Sequence, residues 1–343
     1  MTKGRKLQTV LGNGLLSVGL AVAAAVSANA AELPKPEAVR DAVVRGLALL
    51  EKTSPQFIKR GGCNSCHNQF LPAAAQAMAR ERGIAVGKSY AQLPPEAEET
   101  PAERIYELVA VGGANSVGYR LFVDAALKKP GDDRRTALIH YLNANQAPDG
   151  RWQTAGNRPP MTYDDFNTTA FSIHALQRYT PANQRAEAEK RIARAVGWLL
   201  ESQPDSTQER AFHLLGLGWG KASREALEKS ANGLISKQRA DGGWSQLPAM
   251  DSDAYATGEA LYALHLGGGV AVSHPAYLRG MEYLLKTQAK DGSWHVKTRS
   301  LPVQPYFESG FPYGHDQWIS SAGTSWAAMA LTLAVEPVRV SRR

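Results

Sequence analysis

Leu284-Leu285-Lys286-Thr287-Gln288-Ala289-Lys290-Asp291-Gly292-Ser293-Trp294 lies near the end of the chain, and its pattern recurs. Leu234-Ile235 leads to Gln238 and Asp241-Gly242-Gly243-Trp244. Tyr141-Leu142 leads to Gln146 and Asp149-Gly150-Arg151-Trp152. Trp198-Leu199-Leu200 leads to Gln203, but the stretch continues Pro204-Asp205-Ser206 and has no tryptophan. A segment rich in small residues follows each loop, over residues 168–176, 210–217, 256–264 and 324–333. Recurrence of this kind marks stacked supersecondary units, so it is read before any single element.

Each unit reads as a helix hairpin. Ile192, Val196, Leu199 and Leu200 fall at helical spacing and give the first helix one apolar face. Asp-Gly reads as a helix stop with Gly at positive φ. The Trp is expected to fold back over the helix ends and be held by the Gln. Thr324-Ser325-Trp326-Ala327-Ala328-Met329-Ala330-Leu331 is apolar or small on most sides, which predicts burial. First helices then form an outer ring and second helices an inner ring. Two more hairpins are expected upstream, 39–50 with 71–80 and 102–111 with 117–127. The stretch 92–100, rich in Pro and Glu, reads as an external loop between them. Six hairpins suffice to close a ring, and nothing in the pattern calls for strands. The expected fold is all-α, a single α/α toroid over residues 31–343.

The first hairpin's loop carries Cys63-Asn64-Ser65-Cys66-His67, with the only two cysteines of the chain. This is the C-x-x-C-H pattern of covalent haem attachment. Cys63 and Cys66 are the expected thioether anchors, and His67 the expected proximal ligand of the iron, for one haem c. A redox or structural disulfide is the rival reading, but it has no use for His67. Zinc would need more thiols or a second histidine pair nearby. The second axial ligand would come from Met or His. Ring closure would bring the long loop 295–320 beside the first hairpin, which makes His315 the first candidate. His295, Met161 and Met250 follow, and an iron without a second protein ligand is the remaining alternative. His174, His213 and His265 read as structural, inside inner helices.

Residues 1–30 read as a secretory signal: Lys3, Arg5 and Lys6, an apolar run from Leu15 to Val26, then Ala28-Asn29-Ala30. The run is short for a membrane span. Cleavage after Ala30 would place the protein in the periplasm. The formal charge of +7 falls to +4 when three cations leave with this segment. So mild a balance, without aromatic-interleaved basic stripes, argues against nucleic acid as partner. At 43% hydrophobic and 21% charged, the chain is ordinary globular material.

The Gln…Asp-Gly-x-Trp units, with Ala256-Thr257-Gly258-Glu259-Ala260-Leu261-Tyr262-Ala263-Leu264 after one of them, resemble the QW repeats of squalene–hopene cyclases. The resemblance implies the toroid of terpenoid cyclases and protein prenyltransferases. It covers residues 133–335 well and residues 36–128 by helix rhythm alone. With the haem motif, the whole chain resembles exported bacterial proteins that carry C-x-x-C-H within such a toroid. Hopene-type cyclases protonate an alkene with Asp-x-Asp-Asp followed by Thr-Ala. The nearest stretch here is Asp251-Ser252-Asp253-Ala254, without the third carboxylate. Asp251 and Asp253 are the acid candidates of that reading, and helix capping is the competing role. Asp164-Asp165-Phe166-Asn167-Thr168-Thr169-Ala170 is a weaker echo. A prenyltransferase zinc site lacks its thiol, because both cysteines sit in the haem motif. Three functions remain open: electron transfer or haem-based redox chemistry, with an unidentified redox partner; cyclase-like chemistry on an isoprenoid or other apolar substrate in the central cavity; and a haem-bearing ligand-binding or sensor module.

Overall fold

The computed structural model describes residues 34–62, 65–87 and 113–336. The expected signal segment 1–30, Cys63, the loop 92–100 and the helix 102–111 lie outside these residues. Eleven α-helices are described: α1 Pro36–Gly61, α2 Leu71–Glu81, α3 Gly113–Ala126, α4 Asp133–Ala144, α5 Asp165–Tyr179, α6 Arg185–Glu201, α7 Thr207–Trp219, α8 Arg224–Ile235, α9 Ala254–Leu266, α10 Pro275–Thr287 and α11 Gln317–Leu333. Helices α2, α3, α5, α7, α9 and α11 each pack on the next, and α11 packs back on α2. They close an inner ring. Around it, α4, α6, α8 and α10 each bridge two inner neighbours, and α1 bridges α11 and α2. The all-α toroid read from the repeats is the fold.

Burial sorts the two rings as the sequence pattern demands. Every residue of α11 is buried, whereas α8 buries only Ala231 and Leu234. Side chains from adjacent and non-adjacent inner helices meet inside the ring: Trp326 of α11 lies 6.4 Å from Phe122 of α3, 6.1 Å from Phe212 of α7 and 5.2 Å from Tyr262 of its neighbour α9. None of these four is more than 4% exposed. This aromatic cluster fills the ring at their level, where a central substrate cavity was expected.

The repeat loops hold the ring together, by a different linkage from the one expected. Each Trp indole N–H donates back to a carbonyl of its own outer helix: Trp152 to Leu142 at 2.7 Å, Trp244 to Leu234 at 2.9 Å, Trp294 to Leu284 at 2.8 Å. Its backbone N–H donates to a threonine hydroxyl of the following inner helix, Thr169, Thr257 or Thr324. The Gln does not hold the Trp. Its amide N–H donates to the loop glycine's carbonyl and to a carbonyl of the next outer helix: Gln146 to Arg191, Gln238 to Ala276, Gln288 to Ala42. A buried Trp thus ties a hairpin to itself, and the Gln ties it to its neighbour. The last of these links runs from the sixth hairpin to α1, so Gln288 helps close the ring.

The glycines show why the turn is so restricted. Gly150, Gly242 and Gly292 have φ of 102°, 89° and 91°. A Cβ on each would come within 2.4–2.6 Å of a carbonyl oxygen of the next outer helix, on Arg194, Arg279 or Arg45. Asp-Gly is therefore a contact point and not a helix stop; α4, α8 and α10 end several residues earlier. Two other expectations need correction. The first outer helix continues past residue 50 to Gly61, with Pro55 inside it. Within the added turns the Thr53 hydroxyl donates to the Leu49 and Leu50 carbonyls at 3.0 and 3.3 Å. A two-residue antiparallel ladder, Trp244–Ser245 with Ser252–Asp253, also forms where the loop before α9 doubles back. No helix among the described residues is long and apolar enough to cross a membrane.

Candidate functional site

Between α1 and α2 the backbone makes one π-helical turn, Cys66–Phe70. Such turns displace a side chain from the regular helix and occur often at functional sites. Ser65 begins it, its hydroxyl accepting from the Asn68 N–H at 3.1 Å. Gln69 fastens the turn to α1: its amide N–H donates to the Ser54 carbonyl at 3.0 Å, and its oxygen accepts the Ser65 N–H at 2.8 Å. From the other side, the Ser321 hydroxyl of α11 donates to the His67 carbonyl at 2.9 Å. The turn that carries His67 is thus held by both ends of the chain's ring.

The His67 side chain is 5% exposed. Phe57 meets its ring edge-on at 5.3 Å and Trp318 at 5.6 Å. Nδ1 faces the Asn68 Oδ1. An amide oxygen only accepts, so Nδ1 carries the proton and Nε2 keeps its lone pair. Burial, then the nearby Arg158 guanidinium, push the imidazole down to about 3, which keeps it neutral. Arg158 donates to Nε2 at 3.3 Å and lies 4.0 Å from the centre of the Trp318 ring.

His67, Arg158 and Trp318 form one end of a cavity of about 500 Å³, walled mainly by the 298–309 segment. His315 lines the same cavity, exposed, its ring 4.4 Å from that of Tyr306 and tilted 39° to it. The structure therefore brings the two histidines singled out in the sequence to one space. The other axial candidates lie elsewhere. His295 is bound to Asp316 at 2.7 Å, Met161 is buried with its carbonyl accepting from Tyr119, and Met250 sits in the loop before α9. His213 is satisfied by Ser230 and the Leu199 carbonyl, and His265 by the Val270 carbonyl.

Of the motif's described residues, His67 has the state an axial ligand needs: a neutral imidazole with a fixed tautomer turns to the cavity the nitrogen that now accepts from Arg158, which would have to move off it. Cys66 is half-buried beside the core, near Tyr119 and Arg158 but not among the residues lining the cavity. Burial pushes its thiol up to about 12. A working redox C-x-x-C pair needs the opposite, a depressed thiol.

A second group of side chains lies at the inner-helix N-termini. Asp164 caps α5, accepting from the Asn167 N–H at 2.8 Å, and Asp253 caps α9, accepting from the Ala256 N–H at 2.8 Å. Gln208 links Asp164 to a phenol: its N–H donates to Asp164, and its oxygen accepts from the Tyr255 hydroxyl at 2.6 Å, while Asp253 accepts from the Gln246 N–H at 3.0 Å. Burial raises Asp164 to about 7 and Asp253 to about 6. Glu259, 1% exposed on α9, is held well above the usual range by burial and by Asp164 and Asp253. Asp251, by contrast, is exposed. Glu259 and Arg158 were not singled out from the sequence. Glu259 left a signal, an acid within an otherwise apolar inner helix. Arg158 left none, since it lies 91 residues from the histidine it meets.

No protein-family model matches the chain. Part of it is similar to a squalene–hopene cyclase of Bradyrhizobium diazoefficiens, 37% identical over 97 residues, covering 25% of this chain and 13% of that protein. It is also similar to a lanosterol synthase of Candida albicans, 28% identical over 155 residues, covering 37% of this chain and 21% of that protein. The chain thus spans about a fifth or less of the length of these curated relatives. Among solved structures, it resembles the type II terpene cyclase MstE from Scytonema in complex with merosterolic acid A, with a TM-score of 0.55, 14% identity, and 88% and 98% of the two chains covered. The same enzyme in complex with geranylgeranyl dihydroxybenzoate gives 0.53, 14% identity, and 87% and 98% coverage. A protein from Actinoplanes gives 0.53 at 15% identity, covering 85% and 98%. The fold is terpenoid-cyclase-like.

Proposed function

We propose that this is an exported haem c protein on a terpene-cyclase-like ring, working in electron transfer or haem-based redox chemistry. One observation carries the reading: the histidine of the C-x-x-C-H motif turns a neutral Nε2 to a cavity that a second histidine, His315, also lines. Cys63 and Cys66 would hold the haem, each thiol adding S–H across a vinyl C=C with no net oxidation. His67 would be the proximal iron ligand, and His315 is the candidate for the opposite position. When bound, the haem supplies a one-electron couple or an open iron. The chain's own residues do the rest: Asn68 fixes the imidazole tautomer, and Phe57 and Trp318 brace its ring.

The full chain, made in a host that matures c-type cytochromes, should show a Soret band that survives acid–acetone extraction. Replacing both cysteines by serine should abolish it. A colourless wild-type protein from that host would sink the reading. In the His315→Ala variant, carbon monoxide should bind the reduced haem faster than in wild type; unchanged spectra and binding would remove His315 from the iron.

The comparisons favour a second reading, an enzyme acting on an isoprenoid or other apolar substrate. Their names concern cyclases, and one neighbour was captured with a prenylated benzoate. Buried Glu259, held well above the usual carboxylate range, and Asp253, raised to about 6, are the chemistry available for it. Against it stand the aromatic filling of the ring centre and the exposure of Asp251. Turnover of prenylated substrates by wild type, lost in Asp253→Asn or Glu259→Gln, would support it; wild-type turnover at background would end it.

A further inference from the structure

The loop between α6 and α7 has lost its tryptophan, and a cavity of about 200 Å³ opens beside it. Repeat spacing shows what is missing there. Leu199 stands four residues before Gln203, as Leu142, Leu234 and Leu284 stand before Gln146, Gln238 and Gln288. The carbonyls of those three leucines each accept an indole N–H. The Leu199 carbonyl instead accepts the Nε2–H of His213, from α7, at 2.9 Å. The indoles also press on a small residue of the next outer helix. A Cβ on Gly280 of α10 would lie 3.1 Å from the Trp244 ring, and one on Gly46 of α1 3.2 Å from the Trp294 ring. Ser230 of α8 stands eight residues before Gln238, as Gly280 does before Gln288. Its hydroxyl donates to the His213 Nδ1 at 2.8 Å. One imidazole thus joins the two contact points between which the sibling units seat an indole, and it is the smaller ring. The space left over is the cavity, lined by His213, Ser230, Leu200 and Gly233 among others.

This space is also cationic. In the sibling units an arginine of the next outer helix donates to the Gln oxygen: Arg194 to Gln146, Arg279 to Gln238 and Arg45 to Gln288. Lys229 holds that place on α8, nine residues before Gln238, and makes no such bond to Gln203. Lys229, Gln203 and Arg210 of α7 all line the cavity, and none of its lining residues is Asp or Glu. The Arg210 Nε is buried without a hydrogen-bond partner. Neither cation is in an ion pair among the described residues. Burial holds His213 below its ordinary value, and both cations push it the same way, so they surround a neutral imidazole. A carboxylate would accept two parallel N–H bonds from the guanidinium and offset the repulsion between the two cations. Lys229 is exposed, so its share of that attraction is screened by salt.

We propose that this vacated tryptophan slot binds a small planar aromatic carboxylate, its ring where the sibling units carry an indole and its acid on Arg210 and Lys229. Leu200, Pro204, Leu217 and Ala226 give the ring apolar walls. The cavity is smaller than the roughly 300–1,000 Å³ of sites for drug-sized ligands, which limits the occupant to one or two fused rings. His213 keeps both of its bonds when the slot fills, so the hairpin does not rearrange. Filling completes a wedge that this unit lacks, and the ligand should therefore stabilise the folded chain. The slot shares no lining residue with the cavity at His67, so its test is independent of haem uptake.

The test titrates the full chain calorimetrically with three probes: indole-3-acetate, indole and acetate. Indole-3-acetate should bind about ten-fold or more tightly than either of the others. The double variant Arg210→Gln/Lys229→Gln should weaken indole-3-acetate about ten-fold and leave indole unchanged. Added salt should weaken it in wild type more than in that variant. Gly233→Phe places a ring in the slot from within α8, at a position where a Cβ meets nothing within 4 Å, and should abolish binding of both aromatic probes. It also removes a glycine from a helix interior, which favours the helix, and far-UV circular dichroism checks the fold of each variant. Indole-3-acetate should raise the urea midpoint of wild type and not that of Gly233→Phe. Acetate binding as tightly as indole-3-acetate overturns the ring slot, and indole doing so overturns the acid's contacts. Indole-3-acetate binding indifferent to Gly233→Phe, or no binding of any probe at millimolar concentration, overturns the site.

Discussion

Among the described loops that lead from the outer ring to the inner ring, two kinds contrast most in what they exclude. The loops at Trp152, Trp244 and Trp294 are closed wedges. Each buries an indole to 1% exposure or less, and each presses a glycine against the next outer helix. The loop of the first hairpin occupies the same place in its unit but has no tryptophan. Its own left-handed glycine, Gly62, has φ of 68°, and a Cβ there would meet nothing within 4 Å. In place of the wedge it has a π-helical turn, a buried imidazole and a cavity. The lesson is that a repeat can give up its wedge where neighbouring elements supply the hydrogen bonds. Here Ser54 of α1 and Ser321 of α11 do so.

This contrast can be broken most forcefully at the ring closure. Trp294→Ala removes a fully buried indole and the bond to Leu284, and should lower the unfolding free energy by about 3–5 kcal/mol, read from the urea midpoint. The glycines give the sharper comparison. Gly292→Ala meets both left-handed strain and the Arg45 carbonyl, and should cost about 2–5 kcal/mol. Gly62→Ala meets only the strain, about 1–2 kcal/mol. Equal losses at the two sites would show that the clasp contact to the next helix carries no weight.

How far the sequence reveals these loops depends on how local their contacts are. The spacing of Gln, Asp-Gly and Trp marks the hairpins, because the Trp bond spans ten residues within one unit. The Gln bond crosses to the next unit, so its partner was misread as the neighbouring Trp. The C-x-x-C-H spacing of Cys63–His67 is legible because it is local. Arg158, which donates to the His67 Nε2, arrives from a loop two hairpins away, and local pattern carries no trace of that. The end of the first helix reads too early, at residue 50; α1 runs on to Gly61 with Pro55 inside it, a strong local breaker overridden by packing.

The inner-helix acids offer a smaller but cleaner effect. Asp164 titrates near 7 in the folded chain against an ordinary value of 3.8, through burial first. The folded state therefore binds its proton more tightly than the unfolded chain. Its contribution is fully present below about pH 4 and is lost as pH rises towards 7, at up to about 1.4 kcal/mol per pH unit. Buried His174, lowered to about 4, acts in the opposite sense below 6.5, so the wild-type curve alone mixes the two. The difference between Asp164→Asn and wild type isolates the acid. Asparagine still caps α5 but leaves Gln208 short of an acceptor, a fixed cost. The variant should gain on wild type steadily from pH 4 to 7 in urea melts. A pH-independent difference would mean that Asp164 is ionised in the folded chain.

The smallest expected effect is at the loop that has lost its tryptophan without gaining a haem motif. After Gln203, the entry to α7 is held by a capping box: the Ser206 hydroxyl accepts the Glu209 N–H at 3.1 Å, and the Glu209 carboxylate accepts the Ser206 N–H at 3.1 Å. The Thr207 hydroxyl adds a 2.6 Å bond to the Ser245 carbonyl of the next loop. Here polar caps stand where the other loops use an indole. Ser206→Ala should cost about 1 kcal/mol, the usual worth of an N-cap, and no more. A loss as large as that of Trp294→Ala would mean that this cap carries the load of a wedge. The first loop's exchange of a wedge for a haem motif would then be one case of a general substitution around the ring, and its cavity would need a separate cause.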